Sequence, residues 1–389
     1  MHVPDGFFNA PVSVATGVVA ATAVAVSLRG ARRELDERVS PLAGLVAAFV
    51  FAVQMLNFPV GAGTSGHLMG GALAAILVGP YTGVLCLTVV LLMQALLFAD
   101  GGLTALGTNV TLLGVVAVGV GYPLFRLLAR VLPRGRRSFT AASFVAALVS
   151  VPVAAVVFTV LFALGGTADV SLGTVFAAMV GVHTAIGIGE AVITALTVGA
   201  VLAVRPDLVY GARGLLHTPL VLRTASGGTV PAPTAELAGS EPAAPGSAAG
   251  DTGRAGRRSI RPLWLGGLAA ALVCAGVVSF YASQELDGLE RVSTDNGFID
   301  RAEDHGLADS PLADYGIRDM ANERLSGGLA GVIGVGATLA VGTGIAVAVR
   351  RRNAGGTDAD RGAVGAGTDG DAGAPPSGRG GSAESADRT

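Results

Sequence analysis

The chain begins Met1-His2-Val3-Pro4-Asp5-Gly6, and a histidine in second place has a chemistry that internal histidines lack. The free terminal amine, the backbone nitrogen of residue 2 and the imidazole Nδ1 can chelate one cation. The two fused rings are five- and six-membered, so the three nitrogens lie nearly in a plane. A fourth nitrogen would close a square, and the stretch "GTSGHLMGG" at 63–71 offers His67. Gly66, Gly70 and Ala74 recur at four-residue spacing beside it, which lets another backbone approach closely. Square-planar nitrogen coordination suits Ni(II) or Cu(II), and low-spin Co(II) also adopts it. Tetrahedral zinc and oxygen-seeking magnesium fit such a set poorly. A lone histidine at a helix end is usually just hydrogen-bonded; Met1, His2 and His67 together are what point to a metal.

These residues must be positioned by a membrane protein. Of 389 residues 51% are hydrophobic and only 14% charged, with mean hydropathy +0.62, whereas soluble domains carry about 25% charged residues. Apolar runs approach the ~20 residues that cross a bilayer. Arginine clusters at 29–38, 125–137, 205, 254–261 and 350–352 set the topology, because such clusters favour the cytoplasmic side. The pattern predicts an all-α, multi-pass protein of the cell membrane with its N-terminus outside. Seven helices are expected over 1–210, at about 10–28, 41–57, 67–79, 81–98, 107–128, 139–164 and 174–204, with "VGPY" at 78–81 breaking the third from the fourth. Residues 211–260, rich in Ala, Gly, Pro, Ser and Thr, read as a disordered cytoplasmic linker. A two-helix membrane module follows over 261–352, with spans at 263–283 and 326–349. Its external segment 284–325 holds 11 Asp/Glu against 4 Arg. The tail 353–389 reads as disordered and cytoplasmic. The start lacks a basic first segment and a small-residue cleavage site, so Met1 is expected to persist as the terminus.

Polar residues in apolar spans are costly and usually functional. Gln54, Asn57 and Gln94 fall near the outer helix ends, close to the candidate ligands. His183, Gly187 and Glu190 share one stripe of the seventh helix. They read either as support or a docking contact for the site, or as a His–Glu network holding helices together. Cys86 and Cys274 read as small core residues. All 26 basic residues are arginine, which rules out a phosphate loop ending in Gly-Lys-Ser/Thr. Energy for active work would come from another subunit. No prosthetic group and no nucleic acid is called for; lipid is the surrounding partner. A competing reading is an intramembrane serine protease, with Ser65 in "GTSG" at 63–66 and His183 as its base. It leaves Met1 and His2 unexplained.

"MHVPDGF" at the terminus, "GTSGHLMGG" at 63–71, "QALLFADGGLTALGTNV" at 94–110 and "HTAIGIGEA" at 183–191 resemble the CbiM/NikM family. Its members are the substrate-capture components of energy-coupling-factor transporters for cobalt and nickel. The resemblance covers about 1–205. It implies a metal site at Met1, His2 and His67, and as partners a transmembrane coupling protein and two cytoplasmic ATPase subunits. Nickel is slightly favoured over cobalt. The segment 282–316 resembles the companion domain named for its Pro-Asp-Gly-Leu-Glu motif. Leu286 replaces the proline while Asp287, Gly288, Leu289 and Glu290 remain.

Overall fold

Residues 1–35, 39–213, 221–223, 229–231 and 259–365 are described by the computed structural model. Among them the architecture is helical. The first helix, α1 (Ala10–Glu34), starts where the Asn9 side chain accepts the Val12 amide, with a proline in its first turn. Next come α2 (Val39–Gln54), a hairpin of β1 (Phe58–Gly61) and β2 (Thr64–Gly66), α3 (Gly71–Val78) and α4 (Pro80–Leu97). A crossing at Leu106–Val131 consists of α5 (Leu106–Asn109), a π-helical stretch (Val110–Val116) and α6 (Ala117–Val131). Then follow α7 (Arg136–Gly165) and α8 (Leu172–Val204). The C-terminal part has α9 (Arg261–Gly276), the short α10 (Gly288–Asp295) and α11 (Glu323–Gly365). Met1–Arg350 forms one compact unit.

Seven of the described helical segments are long and apolar enough to cross a membrane, which makes this a multi-pass membrane protein. Two of the nine expected crossings are shorter. The run at 41–57 becomes α2, and the run at 67–79 shrinks to the eight residues of α3. Every residue of α3 is buried, so this helix is enclosed by protein rather than lipid and need not span the ~30 Å of hydrocarbon. It ends at Gly79, whose φ of +104° suits glycine. The Glu34 carboxyl accepts the Tyr81 and Thr82 amides at 3.2 and 2.7 Å, capping α4.

Two stretches outside the expected helices also carry secondary structure. Within the expected linker, Val221–Arg223 and Thr229–Pro231 pair as antiparallel strands (β3 and β4). The rest of 214–258 lies outside the described residues. The last helix runs to Gly365, past the expected end at Arg352, since no proline between 353 and 365 stops it. Residues 366–389 lie outside the described residues.

Two apolar cores matter for position. One gathers α2, α3, α4, α9 and α11, with Phe51 and Phe98 fully buried. The other encloses the N-terminal segment: Met1, Val3, Phe7 and Phe8 join Phe158 and Phe162 of α7, Met179 and Ile186 of α8, and Leu289, Val292 and Phe298 of the C-terminal part. Phe298 meets Phe7 edge-on at 5.4 Å between ring centres.

Candidate functional site

The terminus is threaded into the protein and held by hydrogen bonds from several elements. Val3 donates its amide to Asn109 Oδ1 at 2.8 Å and accepts from Asn109 Nδ2 at 3.1 Å. Asp5 accepts the amides of Leu103 and Thr104 at 3.0 and 2.7 Å, in the turn that opens α5. The chain then pairs with the α7–α8 turn, where Thr167 donates its amide to the Phe7 carbonyl at 3.1 Å. Met1 is 2% exposed as a result.

At the end of this thread the Met1 amine lies 2.5 Å from His67 Nε2. His67 Nδ1–H donates to the Leu68 carbonyl at 3.0 Å, which directs the Nε2 lone pair to the amine. Burial, then the charge on the amine, lowers the His67 pKa, so the ring is neutral. The His2 and His67 rings stack at 4.7 Å, 12° from parallel. His2 Nδ1 faces Asp100 Oδ1 at 2.9 Å, while His2 Nε2 is buried without a hydrogen-bond partner. The three expected ligands are therefore brought together.

The loop that carries His67 is held by two residues named from sequence. Glu190 accepts the amides of Met69 and Gly70 at 2.6 and 2.9 Å, and Gln54 Nε2 donates to the Met69 carbonyl at 2.8 Å. Those bonds explain why residues 67–70 are not helical. They also correct one of the two readings of α8: Glu190 grips the loop and does not bond His183, whose Nδ1 donates to the Met179 carbonyl at 2.8 Å. The Asn57 carbonyl accepts the Ser283 amide at 2.7 Å, and its residue lines the cavity beside the histidines. Gln94 is fully buried; its carbonyl accepts the Phe98 and Asp100 amides, and its side-chain amide has no partner among the described residues. The Ser65 hydroxyl donates to the Glu285 and Leu286 carbonyls at 2.7 and 3.2 Å. With Ser65 and His183 both bonded elsewhere, the protease dyad is not formed.

Sequence reasoning missed the carboxyl groups. Asp287 Oδ2 lies 3.1 Å from the Met1 amine and 3.5 Å from His67 Nε2. Burial raises its pKa, but the charge of the Met1 amine, with the Glu290 amide bonded to the same carboxyl group, outweighs this and holds it well below the carboxylate range. The Tyr315 hydroxyl donates to Asp100 Oδ2 at 2.6 Å. Asp314 and Tyr315 sit at φ +52° and +56°, a costly conformation for non-glycine residues. It is offset by a bond from the Asp314 amide to the Phe98 carbonyl at 2.9 Å and by Tyr315 stacking on Phe98. One signal was present: Asp287-Gly-Leu-Glu290 has the Asp-x-x-Glu spacing of a capping box. A cavity of about 470 Å³ is lined by His2, His67, Asp100, Asp287, Glu290 and Tyr315 among others. No three His, Cys, Asp or Glu side chains among the described residues are arranged to hold a metal ion, so a cation here needs the main-chain nitrogens as well.

Comparison with known proteins agrees with both halves. The family described as "Cobalt uptake substrate-specific transmembrane region" matches residues 2–208, and the PDGLE domain matches 261–351. A Haloquadratum walsbyi protein named for metal transport is 40% identical over 210 residues, 54% of this chain and 94% of that protein. The cobalt transport protein CbiM of Sorangium cellulosum is 35% identical over 216 residues, 54% of this chain and 94% of its own. The fused nickel transport protein NikMN of Rhodobacter capsulatus is 39% identical over 127 residues, 33% of this chain and 37% of its own. A crystal structure titled as a transition metal transporter has a TM-score of 0.48 at 29% identity, covering 55% of this chain and all of that one. A buried terminus with histidines around it is thus found in a chain that belongs to the CbiM family, the membrane components of cobalt and nickel transport, here with a PDGLE domain in the same polypeptide.

Proposed function

We propose that this chain is the substrate-capture component of an energy-coupling-factor importer. It binds Ni(II) or Co(II) in a square of four nitrogens: the Met1 amine, the His2 backbone nitrogen, His2 Nδ1 and His67 Nε2. Residues 1–210 form the capture domain and 261–352 the companion module. The observation that carries the reading is the buried 2.5 Å approach of the Met1 amine to His67 Nε2. Adjacent corners of a square with metal–nitrogen bonds of about 2.0 Å lie about 2.8 Å apart, so these two nitrogens are already near the spacing of neighbouring donors.

Loading requires the His2 ring to turn so that Nδ1 leaves Asp100 and faces the cation. Nε2–H can then donate to a carboxyl group, the usual outer partner of a metal-bound histidine. The amine and the His2 amide must each lose a proton. Nickel is slightly favoured because square-planar nitrogen sites suit it. The arginine-rich helix ends face the cytoplasm and the terminus faces outside. A transmembrane coupling protein and two ATPase subunits then drive release inward.

The test compares Ni(II) and Co(II) binding by the purified full chain with binding by a version carrying two extra residues before Met1. Extension breaks the fused chelate, and affinity should collapse by orders of magnitude. Equal binding by both versions would overturn the nitrogen site.

A further inference from the structure

We infer that Asp287, from the C-terminal module, is an oxygen donor of the same metal site; the inference rests on the nitrogen site proposed above. Its two oxygens have separate tasks. Oδ1 caps α10 by accepting the Glu290 amide at 2.9 Å, while the Glu290 carboxyl accepts the Asp287 amide at 3.4 Å. Oδ2 is left facing the Met1 amine and His67 Nε2, at 3.1 and 3.5 Å.

With the two nitrogens 2.5 Å apart, the circle through all three atoms has a radius of about 1.8 Å. A cation about 1 Å off their plane is then about 2.05 Å from each donor, the bond length of a first-row metal to nitrogen or carboxylate oxygen. The oxygen stands off the Met1–His67 edge, which makes it a fifth, axial donor to the square. Nothing has to be rebuilt to bring it there. Ser65 donates its amide to the Leu286 carbonyl at 2.9 Å and its hydroxyl to the carbonyls of Glu285 and Leu286. Gly288 packs on Val182, His183 and Ile186 of α8, where an added Cβ would meet Ile186 at 2.6 Å. The capture domain thus grips the residues on both sides of Asp287. His2 Nε2, buried and unpartnered, belongs to a residue lining the same cavity.

The site is therefore shared between the two modules, and the carboxylate admits a five-coordinate ion where four nitrogens alone hold a planar one. The test uses full-length Asp287→Asn, which keeps the α10 cap because Asn caps as well as Asp, and Asp287→Glu as a second variant that retains the carboxylate. Co(II) and Ni(II) are the probes, read by ligand-field spectra, X-ray absorption and equilibrium binding. In Asp287→Asn the spectrum should change, and affinity should fall about 10- to 100-fold. Asp287→Glu should restore part of both. An unchanged spectrum in Asp287→Asn overturns the oxygen donor, whatever happens to affinity. The two-residue extension and His67→Ala are run beside it. If these bind normally, the nitrogen site itself fails. If they lose binding while Asp287→Asn keeps its spectrum, only the oxygen donor fails.

Discussion

At the scale of residues, Asp100 links the terminus to the C-terminal module, since it takes His2 on one oxygen and Tyr315 on the other. Burial raises its carboxyl pKa, but the His2 and Tyr315 contacts win and bring it to about 2, against an ordinary 3.8. As pH falls the unfolded chain takes up this proton first. The pair's stabilisation is therefore complete above the ordinary value and is lost between about pH 4 and about pH 2. Asp100→Asn should flatten the fall in stability across that window, checked by thermal unfolding of both proteins in detergent at several acidic pH values. Tyr315 has its hydroxyl pKa pushed well above the ordinary value by burial and by Asp100, so it stays a donor. Tyr315→Phe should weaken Ni(II) binding about tenfold by loosening Asp100, measured by calorimetry on the full chain. Metal affinity should rise with pH and release about two protons per ion. Heats of binding in buffers of different ionisation enthalpy would read that number directly.

At the scale of elements, the important device is the four-residue turn before α3. Helices are straightforward to infer from runs of apolar residues, yet this turn exists because a buried carboxyl on α8 and an amide on α2 satisfy its backbone. Replacing Glu190 with Ala leaves the Met69 and Gly70 amides buried and unpaired, at about 1–3 kcal/mol each. Glu190→Gln retains one acceptor and should keep the fold while loosening His67. The expected result is a markedly lower melting temperature for Glu190→Ala. For Glu190→Gln it is a smaller fall with a roughly tenfold faster release of Ni(II). Equal release rates would show that the turn does not depend on this grip. The stripe of His183 and Glu190 was legible from spacing; its target was not, because a backbone amide carries no signature in the sequence.

At the scale of the whole molecule, the N-terminal and C-terminal parts meet at the buried terminus. Glu303 donates its amide to the Asp5 carbonyl at 2.9 Å, and Phe298 packs on Phe7 and Phe162. A chain ending after Arg213 should still insert, since five of the seven long apolar helices precede that point. It should bind Ni(II) at least about tenfold more weakly, having lost both Asp287 and Tyr315. Adding 259–365 as a separate polypeptide in the same membrane should restore binding, measured by retention of radioactive nickel. Failure to restore it would mean that the covalent connection itself is required.

Hydropathy and arginine placement alone determined that this is a helical membrane protein, because both depend on composition along the chain and on no distant contact. The nitrogen site proposed at Met1, His2 and His67 was legible from residue type and from the place of His2 beside Met1, while only the fold brings His67 to the Met1 amine. Tertiary structure decided the rest. Asp287 lies 286 positions from Met1 and Tyr315 lies 215 from Asp100, and only the folding of the C-terminal segment onto the first helices brings them together. It also decided the length of α3, since a helix enclosed by protein is freed from the bilayer thickness that sets the length of its neighbours.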